Sequence, residues 1–387
     1  MTRKAVVVGA GIGGLTAAIA LEHRGWSVTV LERAAALTDV GAGIQISPNG
    51  TKILDALGCL AELESVAFEP PAIEMRLGTS GRRIFRMPMA EAARDRWGGP
   101  HLNVHRADLV DVLRRTIKGQ IELGQTVTAT TGPGGVVLAD GSTRSADLVV
   151  AADGLQSVIR EQMIGPQTPH FTGNIAWRCT VPRDRVPDCP VATTIWAGPG
   201  RHAITNWLRG GAVLNFVGIV ETQDTGAERW DRIGQAADAL ADFDGWVPAV
   251  RAPLAAADQV MRWPVYDRAP TRNWVQGRTV LLGDAAHPMV PSMAQGAVQA
   301  IEDAWVLAAL MARDIDAGLQ RYQTLRQPRT ARVQMTSLKN LRQFHRQGTL
   351  AQMVTYGPMA VASQVAPSLL YQRPDWIYAA TPDSLIE

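Results

Sequence analysis

The stretch that most restricts the fold is Val6-Val7-Val8-Gly9-Ala10-Gly11-Ile12-Gly13-Gly14, where a short apolar run meets glycines spaced G-x-G-x-x-G. A helical pattern follows from Leu15 to about Arg24, so the local reading is strand, tight turn, helix. Gly9 permits the turn, Gly11 lets a pyrophosphate approach the backbone, and Gly14 lets the helix pack close to the strand. The helix N-terminus then presents free N–H groups and its positive dipole end to two phosphates. A second apolar run, Val28-Thr29-Val30-Leu31, ends at Glu32, eighteen residues past Gly14. A carboxylate there can accept hydrogen bonds from a ribose. Glycines alone say little. Strand, glycines, helix, strand and acid in register predict a dinucleotide site. The segment also imitates a signal peptide, with Arg3 and Lys4 ahead of an apolar stretch and Ala18-Ile19-Ala20 like a cleavage site. Phased glycines and the placed Glu32 argue against that reading.

A chain of 387 residues is long for one core and suggests two domains. Net charge is +2, which implies no attraction to nucleic acid or to a membrane surface. Beyond the N-terminal stretch no apolar run reaches ~18 residues, so no membrane span is expected. The cysteines, Cys59, Cys179 and Cys189, are few, odd in number and without C-x-x-C spacing. They fit a reducing cytoplasm and argue against a redox disulfide or a metal site. Several of the tryptophans lie between Trp177 and Trp274. They could line a flat apolar pocket, but core packing is the expectation for most.

Further along, Val40-Gly41-Ala42-Gly43-Ile44-Gln45-Ile46 leads to Ser47 as a helix N-cap and Pro48 at the first helical position, with a stop at Gly58. Gln45 is the polar member of an apolar alternation and faces either solvent or a ligand. Residues 70–100 hold Pro70, Pro71, Gly81, Pro88 and Gly98-Gly99-Pro100, and read as irregular strands and loops. Arg106 opens an amphipathic helix and is either a solvated charge or a contact to phosphate or flavin. Residues 121–150 look like short strands. Leu148-Val149-Val150-Ala151 then reads as a buried strand ending at Asp153-Gly154, typical of a parallel sheet. From about Gly173 strands near 175–181, 191–197, 202–208 and 212–220 follow without helices, which predicts a mainly antiparallel second sheet. On the third of these His202, Ile204, Asn206 and Leu208 share a face. Parallel-type signals return with Thr279-Val280-Leu281-Leu282-Gly283-Asp284-Ala285-Ala286-His287-Pro288. A loop with Pro291 and a helix from Gly296 come next, then helices broken near Pro328. Nothing in the last forty residues suggests chemistry; they are expected to cover the first domain or another subunit.

The N-terminal glycines, Asp153-Gly154 and Gly283-Asp284-Ala285-Ala286-His287-Pro288 together resemble the single-component, FAD-dependent aromatic hydroxylases, the group A flavoprotein monooxygenases. The resemblance spans roughly residues 3–345. Gly41 to Ile46, His105-Arg106-Ala107-Asp108-Leu109 and Met293-Ala294-Gln295-Gly296-Ala297 narrow it to the branch of salicylate hydroxylase, 3-hydroxybenzoate 6-hydroxylase and 6-hydroxynicotinate 3-monooxygenase. It implies an α/β fold: a Rossmann-like FAD-binding domain near 1–172 and 270–345, an inserted antiparallel substrate sheet at 173–269, and a C-terminal covering segment at 346–387.

The resemblance also implies roles. Gly9, Gly11 and Gly14 would hold the pyrophosphate and Glu32 the adenosine ribose, with Arg33 also among the cofactor-binding residues. Arg106 would contact the FAD, Asp153 would serve both FAD and NAD(P)H, and Asp284 would bind the ribityl chain. The helix from Gly296 and Ala297 would aim at the flavin pyrimidine edge, where reduced flavin is anionic. His202 would be the base beside the substrate hydroxyl, with Gln45, Asn206 and Pro291 in the pocket. Asn206 stands where related enzymes can carry tyrosine, and Gln45 where the hydroxynicotinate enzyme has histidine, so these positions bear on the substrate. The reaction implied is hydroxylation of a small phenol or hydroxylated N-heterocycle by O2 and NADH or NADPH through a flavin C4a-hydroperoxide. FAD would be non-covalent and NAD(P)H transient, since no second G-x-G-x-x-G occurs. No metal, nucleic acid or membrane partner is implied, and the protein would be a cytoplasmic monomer or homodimer. Other users of the fold are a halogenase or prenyl-chain reductase, and a non-catalytic flavin sensor. Gly245-Trp246-Val247-Pro248 does not match the G-W-x-W-x-I-P of halogenases.

Overall fold

A computed structural model describes residues 2–37, 43–132, 134–224, 233–312 and 314–387. Val40, Gly41 and Ala42 of the second glycine stretch lie outside the described residues.

The strand Lys4–Val8 sits inside a six-stranded sheet, between Leu148–Ala151 and Ser27–Glu32. Thr279–Leu281 pairs parallel with Leu148–Ala151, and Gln120–Leu123 pairs parallel with Ser27–Glu32. The short strand Val275–Gln276 closes one edge antiparallel. Val6, Val7, Val149, Val150 and Val280 are all buried, as continuous apolar strands covered on both faces must be. In register, Val8 faces Ala151 and Ala151 faces Leu281. The three strands therefore end level and deliver the glycine loop, Asp153-Gly154 and Gly283-Asp284 to one edge of the sheet.

The helix after the glycines is Ile12–Glu22, three residues earlier at its start than the apolar pattern indicates, because Gly13 and Gly14 belong to it. A Cβ on Gly13 would press on Leu282 and Ala300, so this helix packs tightly on Gly296–Leu310. The helix at Pro48–Ala56 does start after Ser47, yet Ser47 makes no side-chain cap. Its hydroxyl instead donates to Asn49 Oδ1 (2.7 Å) and accepts from Gln295 (2.8 Å).

The second sheet has eight strands, among them Val260–Asp267, His170–Pro182, Val213–Glu221, Arg201–Leu208 and Thr193–Gly198 in that spatial order. Two further strands, Ala72–Leu77 and Arg83–Pro88, extend it, the first pairing parallel with Thr193–Gly198. Residues 70–100 thus hold strands, as expected, but regular ones that join the large sheet, and Ala90–Trp97 is a helix that the expectation of strands and loops did not include. Pro71 precedes one strand and Pro88 ends the other, so the prolines delimit strands instead of interrupting them. One sheet face packs on the helices Ala236–Asp242 and Pro248–Ala256 through Trp177, Trp196, Trp207, Phe216 and Phe243. Most tryptophans are core, and their indole N–H groups find partners at Asp242, Thr205 and Pro190. The opposite face, toward the first sheet, carries His202, Ile204 and Asn206.

A single helix runs from Ile315 to Phe344 with Pro328 inside it, so the expected break is absent. Proline removes one helical hydrogen bond. The bond lost is the one to the Thr324 carbonyl, and the helix is secured from outside instead, with Arg326 and Arg329 anchoring both sides of the proline. Arg326 donates to Asp303 (2.7 Å), Glu302 (2.6 Å) and Gln299 (2.8 Å); Arg329 grips Glu302 at 2.7 Å. Asn49 donates to Glu302 (2.6 Å), and Asp303 also takes the Gly283 amide and the His287 ring.

Beyond this helix, Thr349–Val365 packs on Arg83–Pro88, and Ser368–Tyr378 is tied by Asp375 to Trp97. Tyr378 and Pro382 accept from Lys52 and Trp305 of the first part. The tail thus covers elements of both sheets. Among the described residues no helix is long and apolar enough to cross a membrane.

Candidate active site

Two uncapped helix N-termini meet at the carboxyl edge of the parallel sheet. Gly11 precedes Ile12–Glu22 and Gln295 precedes Gly296–Leu310; neither end has a side-chain cap or an acid in its first turn. The glycines there differ in what demands them. Gly9 has φ +101° and a Cβ would lie 2.5 Å from the Ala152 carbonyl. At Gly14 a Cβ would lie 1.9 Å from the Gly9 carbonyl. At Gly11 a Cβ would meet nothing within 4 Å. Protein packing therefore explains Gly9 and Gly14 and leaves Gly11 facing open space.

Glu32 accepts from the amides of Ala10 and Ala34, each at 2.8 Å, which fixes its carboxylate beside the glycine loop with lone pairs to spare. Arg33 is exposed. Asp153 accepts from the Ile159 amide, while its Oδ1 is buried without a partner. Burial raises its pKa. Arg160 reaches the carbonyls of Leu155, Asp284 and Ala285, and so staples the Asp-Gly and Gly-Asp turns together. Asp284 is exposed to the cavity below, although protein packs densely around its carboxylate. Desolvation raises its pKa, opposed by the charges of His287, Arg106 and Arg160. Arg106, first residue of its helix, is exposed and close enough to act on both Asp284 and Arg178.

A cavity of about 250 Å³ lies between this edge and the eight-stranded sheet. Asp284, Gly296 and Ala297 form one wall; Gln45, Arg178, His202, Asn206 and Pro291 contribute to the others. The structure brings these sequence-expected residues together, and leaves Glu32 and Arg33 at the far side of the glycine loop. Gln45 and Pro291 also line an adjoining apolar cavity of about 390 Å³ beneath the C-terminal helices.

Three polar groups converge on the smaller cavity. His202 is buried, and its Nδ1 meets His345 Nε2 at 2.7 Å, which leaves Nε2 as the ring atom for the cavity. Burial, then the neighbouring His345, pushes its pKa well below the ordinary value. It is therefore neutral at pH 7 and able to accept a proton. Asn206 is oriented through a chain of amides. The Gly43 N–H can only donate, so Asn215 presents its oxygen to it (2.8 Å) and its NH2 to Asn206 Oδ1 (2.8 Å). The Asn206 NH2 is left buried and unpartnered. Arg178 stacks 4.3 Å from the Trp263 ring and has no anionic partner among the described residues. Burial, aided by Arg106, pushes it down to about 10.

The sequence reading missed Arg178, Asn215, Glu221 and His345. Alternation along His170–Pro182 marks Arg178 as sharing a face with Ala176, a signal that a strand-face reading could use. Asn215 and His345 carry no local signal, since their roles come from partners far along the chain.

Residues 2–337 match the family model described as FAD binding domain. The chain is 38% identical over 348 residues to a 3-amino-4-hydroxybenzoate 2-monooxygenase of Streptomyces platensis, covering 88% of each. It is 34% identical to 3-hydroxybenzoate 6-hydroxylase 1 of Aquipseudomonas alcaligenes, covering 98% of each. Among solved structures it is similar to Klebsiella pneumoniae HpxO complexed with FAD and uric acid, with TM-score 0.84, 28% identity, and 99% and 97% of the two chains covered.

Proposed function

Because the chain belongs to the FAD-dependent aromatic-ring monooxygenases, we propose that it hydroxylates a small phenolic or hydroxylated N-heteroaromatic acid, using O2 and NADH or NADPH. One observation supports this most: a single cavity gathers a neutral imidazole, an unpartnered amide donor and an unpaired cation, opposite an uncapped helix N-terminus. A phenolic acid has the matching groups: a hydroxyl to deprotonate, a ring, and a carboxylate.

The residues present fit FAD. The open space at Gly11 and the free amides before Ile12 suit a pyrophosphate, with Gly9 and Gly14 shaping the loop. Glu32 suits the adenosine ribose with Arg33 beside it, Asp284 the ribityl hydroxyls, and the orphan Asp153 Oδ1 a donor from the cofactor or from NAD(P)H. Arg106 adds positive charge at that edge. The first amides of the Gly296–Ala297 turn stabilise negative charge at the flavin ring. We assign the FAD-binding domain near 1–172 and 270–345, the substrate sheet at 173–269 with strands 72–88 added to it, and the covering segment at 346–387. Bound FAD supplies the redox chemistry, reduction by NAD(P)H and activation of O2.

His202 takes the hydroxyl proton on Nε2, which makes the ring electron-rich enough to capture oxygen. Asn206 donates to the ring substituent, Arg178 pairs with the carboxylate, and Gln45 and Pro291 bound the ring's far side. Walls on several sides of the cavity limit the access of bulk water to the reacting atoms.

The deciding experiment is NAD(P)H oxidation by the purified yellow protein with hydroxybenzoates (3-amino-4-hydroxybenzoate and 3-hydroxybenzoate among them), hydroxynicotinates and hydroxyquinolines, with product identification. Stimulation with a hydroxylated product supports the reading. No stimulation by any ring indicates a flavin sensor.

Two variants refine it. Gly11→Val keeps allowed backbone geometry (φ −77°, ψ 178°), and its Cβ meets no protein atom within 4 Å. It is expected to fold with the parent's melting temperature and bind FAD ~10–100-fold more weakly, the range that overpacking produces. Unchanged FAD affinity refutes the phosphate assignment. Arg178→Met is expected to raise KM for a ring acid ~10–100-fold, the size of a lost charged hydrogen bond, and to leave the carboxamide analogue unaffected. Equal effects on acid and amide remove Arg178 from carboxylate binding.

A further inference from the structure

We propose that His202, His345 and Glu221 form a proton relay that carries the substrate's hydroxyl proton from the buried His202 ring to solvent. The inference rests on His202 acting as the base and adds two residues with defined tasks.

The geometry is a continuous line. His202 Nδ1 lies 2.7 Å from His345 Nε2, and His345 Nδ1 lies 3.1 Å from Glu221 Oε1. His345 is 3% exposed in its side chain and Glu221 is 48% exposed, so the line begins in the interior and ends in water. The three residues come from the strand Arg201–Leu208, the end of the strand Val213–Glu221, and the residue after the helix Ile315–Phe344. Gly200 pins them together: its amide donates to the His345 carbonyl (3.3 Å) and its carbonyl accepts from the Glu221 amide (2.9 Å). The Phe344 ring stands 5.1 Å from the His202 ring and covers it.

A buried base has a difficulty that this line resolves. An imidazolium held in that interior is penalised by desolvation. Burial lowers the pKa of both histidines; at His345 Glu221 opposes this and Arg201 adds to it. Among the described residues, Glu221 and Arg201 are the charged groups that act on His345. A proton taken by His202 therefore has nowhere stable to rest unless it moves on.

The resting hydrogen-bond pattern permits that. The Glu221 carboxylate accepts the Nδ1–H of His345, and His345 Nε2 accepts the Nδ1–H of His202. When the substrate O–H gives its proton to His202 Nε2, the His202 Nδ1 proton passes to His345 Nε2. The His345 Nδ1 proton then passes to Glu221, which releases it to water. Both histidines end neutral, each with its proton on the other nitrogen, and the substrate oxygen is anionic. Reprotonation of the product oxygen runs the same path backwards and restores both tautomers.

The test uses the holoenzyme mixed rapidly with 3-amino-4-hydroxybenzoate in weak buffer, following phenolate absorbance and proton release to an indicator dye. In His345→Gln both signals are expected ~10–100-fold slower at pH 7, within the range typical of general-base assistance. Added imidazole is expected to restore much of the rate in His345→Ala, which a structural role would not permit. Glu221→Gln, at the half-exposed end, tests the line without a change in the core and is expected to slow proton release several-fold. His345→Gln at the parent's rate overturns the relay. If His202→Ala is slow in that case, the base stands without it; if His202→Ala is also at the parent's rate, both readings fall. Should this ring fail to bind, that substrate is excluded, and imidazole 15N spectra of the protein alone decide the relay. Nδ1–H tautomers at both histidines support it, and an Nε2–H tautomer at either overturns it.

Discussion

His202→Ala is expected to remain yellow and to keep oxidising NAD(P)H, but to release most of the oxygen it consumes as hydrogen peroxide. The ring must carry phenolate character to capture oxygen, and a positioned general base is typically worth ~10²–10⁴-fold in rate. Among the described residues, the aromatic neighbours of His202 are Phe344 and His345, and neither is assigned to FAD. Cofactor binding should therefore survive while hydroxylation falls by that factor. Because burial holds the His202 pKa below its ordinary value, the imidazole stays neutral across the usual range. The parent's acid limb should accordingly lie below about pH 6.5, the free histidine value. The measurement is product formed per NAD(P)H consumed between about pH 6 and 9, a window around the histidine range. Parent-like coupling and rate throughout would make His202 structural, and the base would be sought at water held by Gln45.

Arg326→Met is expected to destabilise the fold by roughly 3–5 kcal/mol, the usual cost of leaving a buried charge unpaired. Both of its acidic partners are fully buried, and it is 1% exposed itself. Burial alone would raise the Glu302 and Asp303 pKa values. Arg326 and Arg329 overcome this at Glu302, and His287 and Arg326 hold Asp303 at about 2. A depressed carboxylate contributes stability above its unfolded pKa and loses it as pH falls through the folded one. The parent's contribution from Asp303 should thus be complete above about pH 4 and vanish toward pH 2. Urea denaturation of the parent and of Arg326→Met at pH 7, with the parent repeated down to about pH 2, checks both statements. A loss under about 1 kcal/mol, the value of an exposed pair, would show that the network carries little.

How far the residues spoke for themselves depended on distance along the chain. The positions of the glycine loop, Glu32 and the two Asp-bearing turns were legible because each sits on one strand–turn unit with its own local pattern. The second sheet was legible from alternation, and the His202–Asn206 face followed from period two. Strands 72–88 were legible as strands, but prolines that in fact stand at their ends hid their regularity and their place in the large sheet. Pro328 misled because intrahelical geometry says nothing of Glu302 and Asp303, which secure the helix from outside. The unpartnered Asn206 amide depends on Asn215 and Gly43, and His345 matters only because folding places it against a residue 143 positions earlier. Such pairings leave no periodicity to read.

The helix Ile315–Phe344, thirty residues and roughly 45 Å long, has its middle clamped beside Gly283-Asp284 and its end beside His202. This sets a rule for making chimeras. The strands of the large sheet cannot be exchanged with those of a relative as a self-contained cassette, because the neighbour of residue 202 is supplied from beyond the last strand. The matched family region itself stops at residue 337, eight short of His345. A crossover that preserves the inner face of the sheet has to keep the rod and its terminal histidine from the same parent.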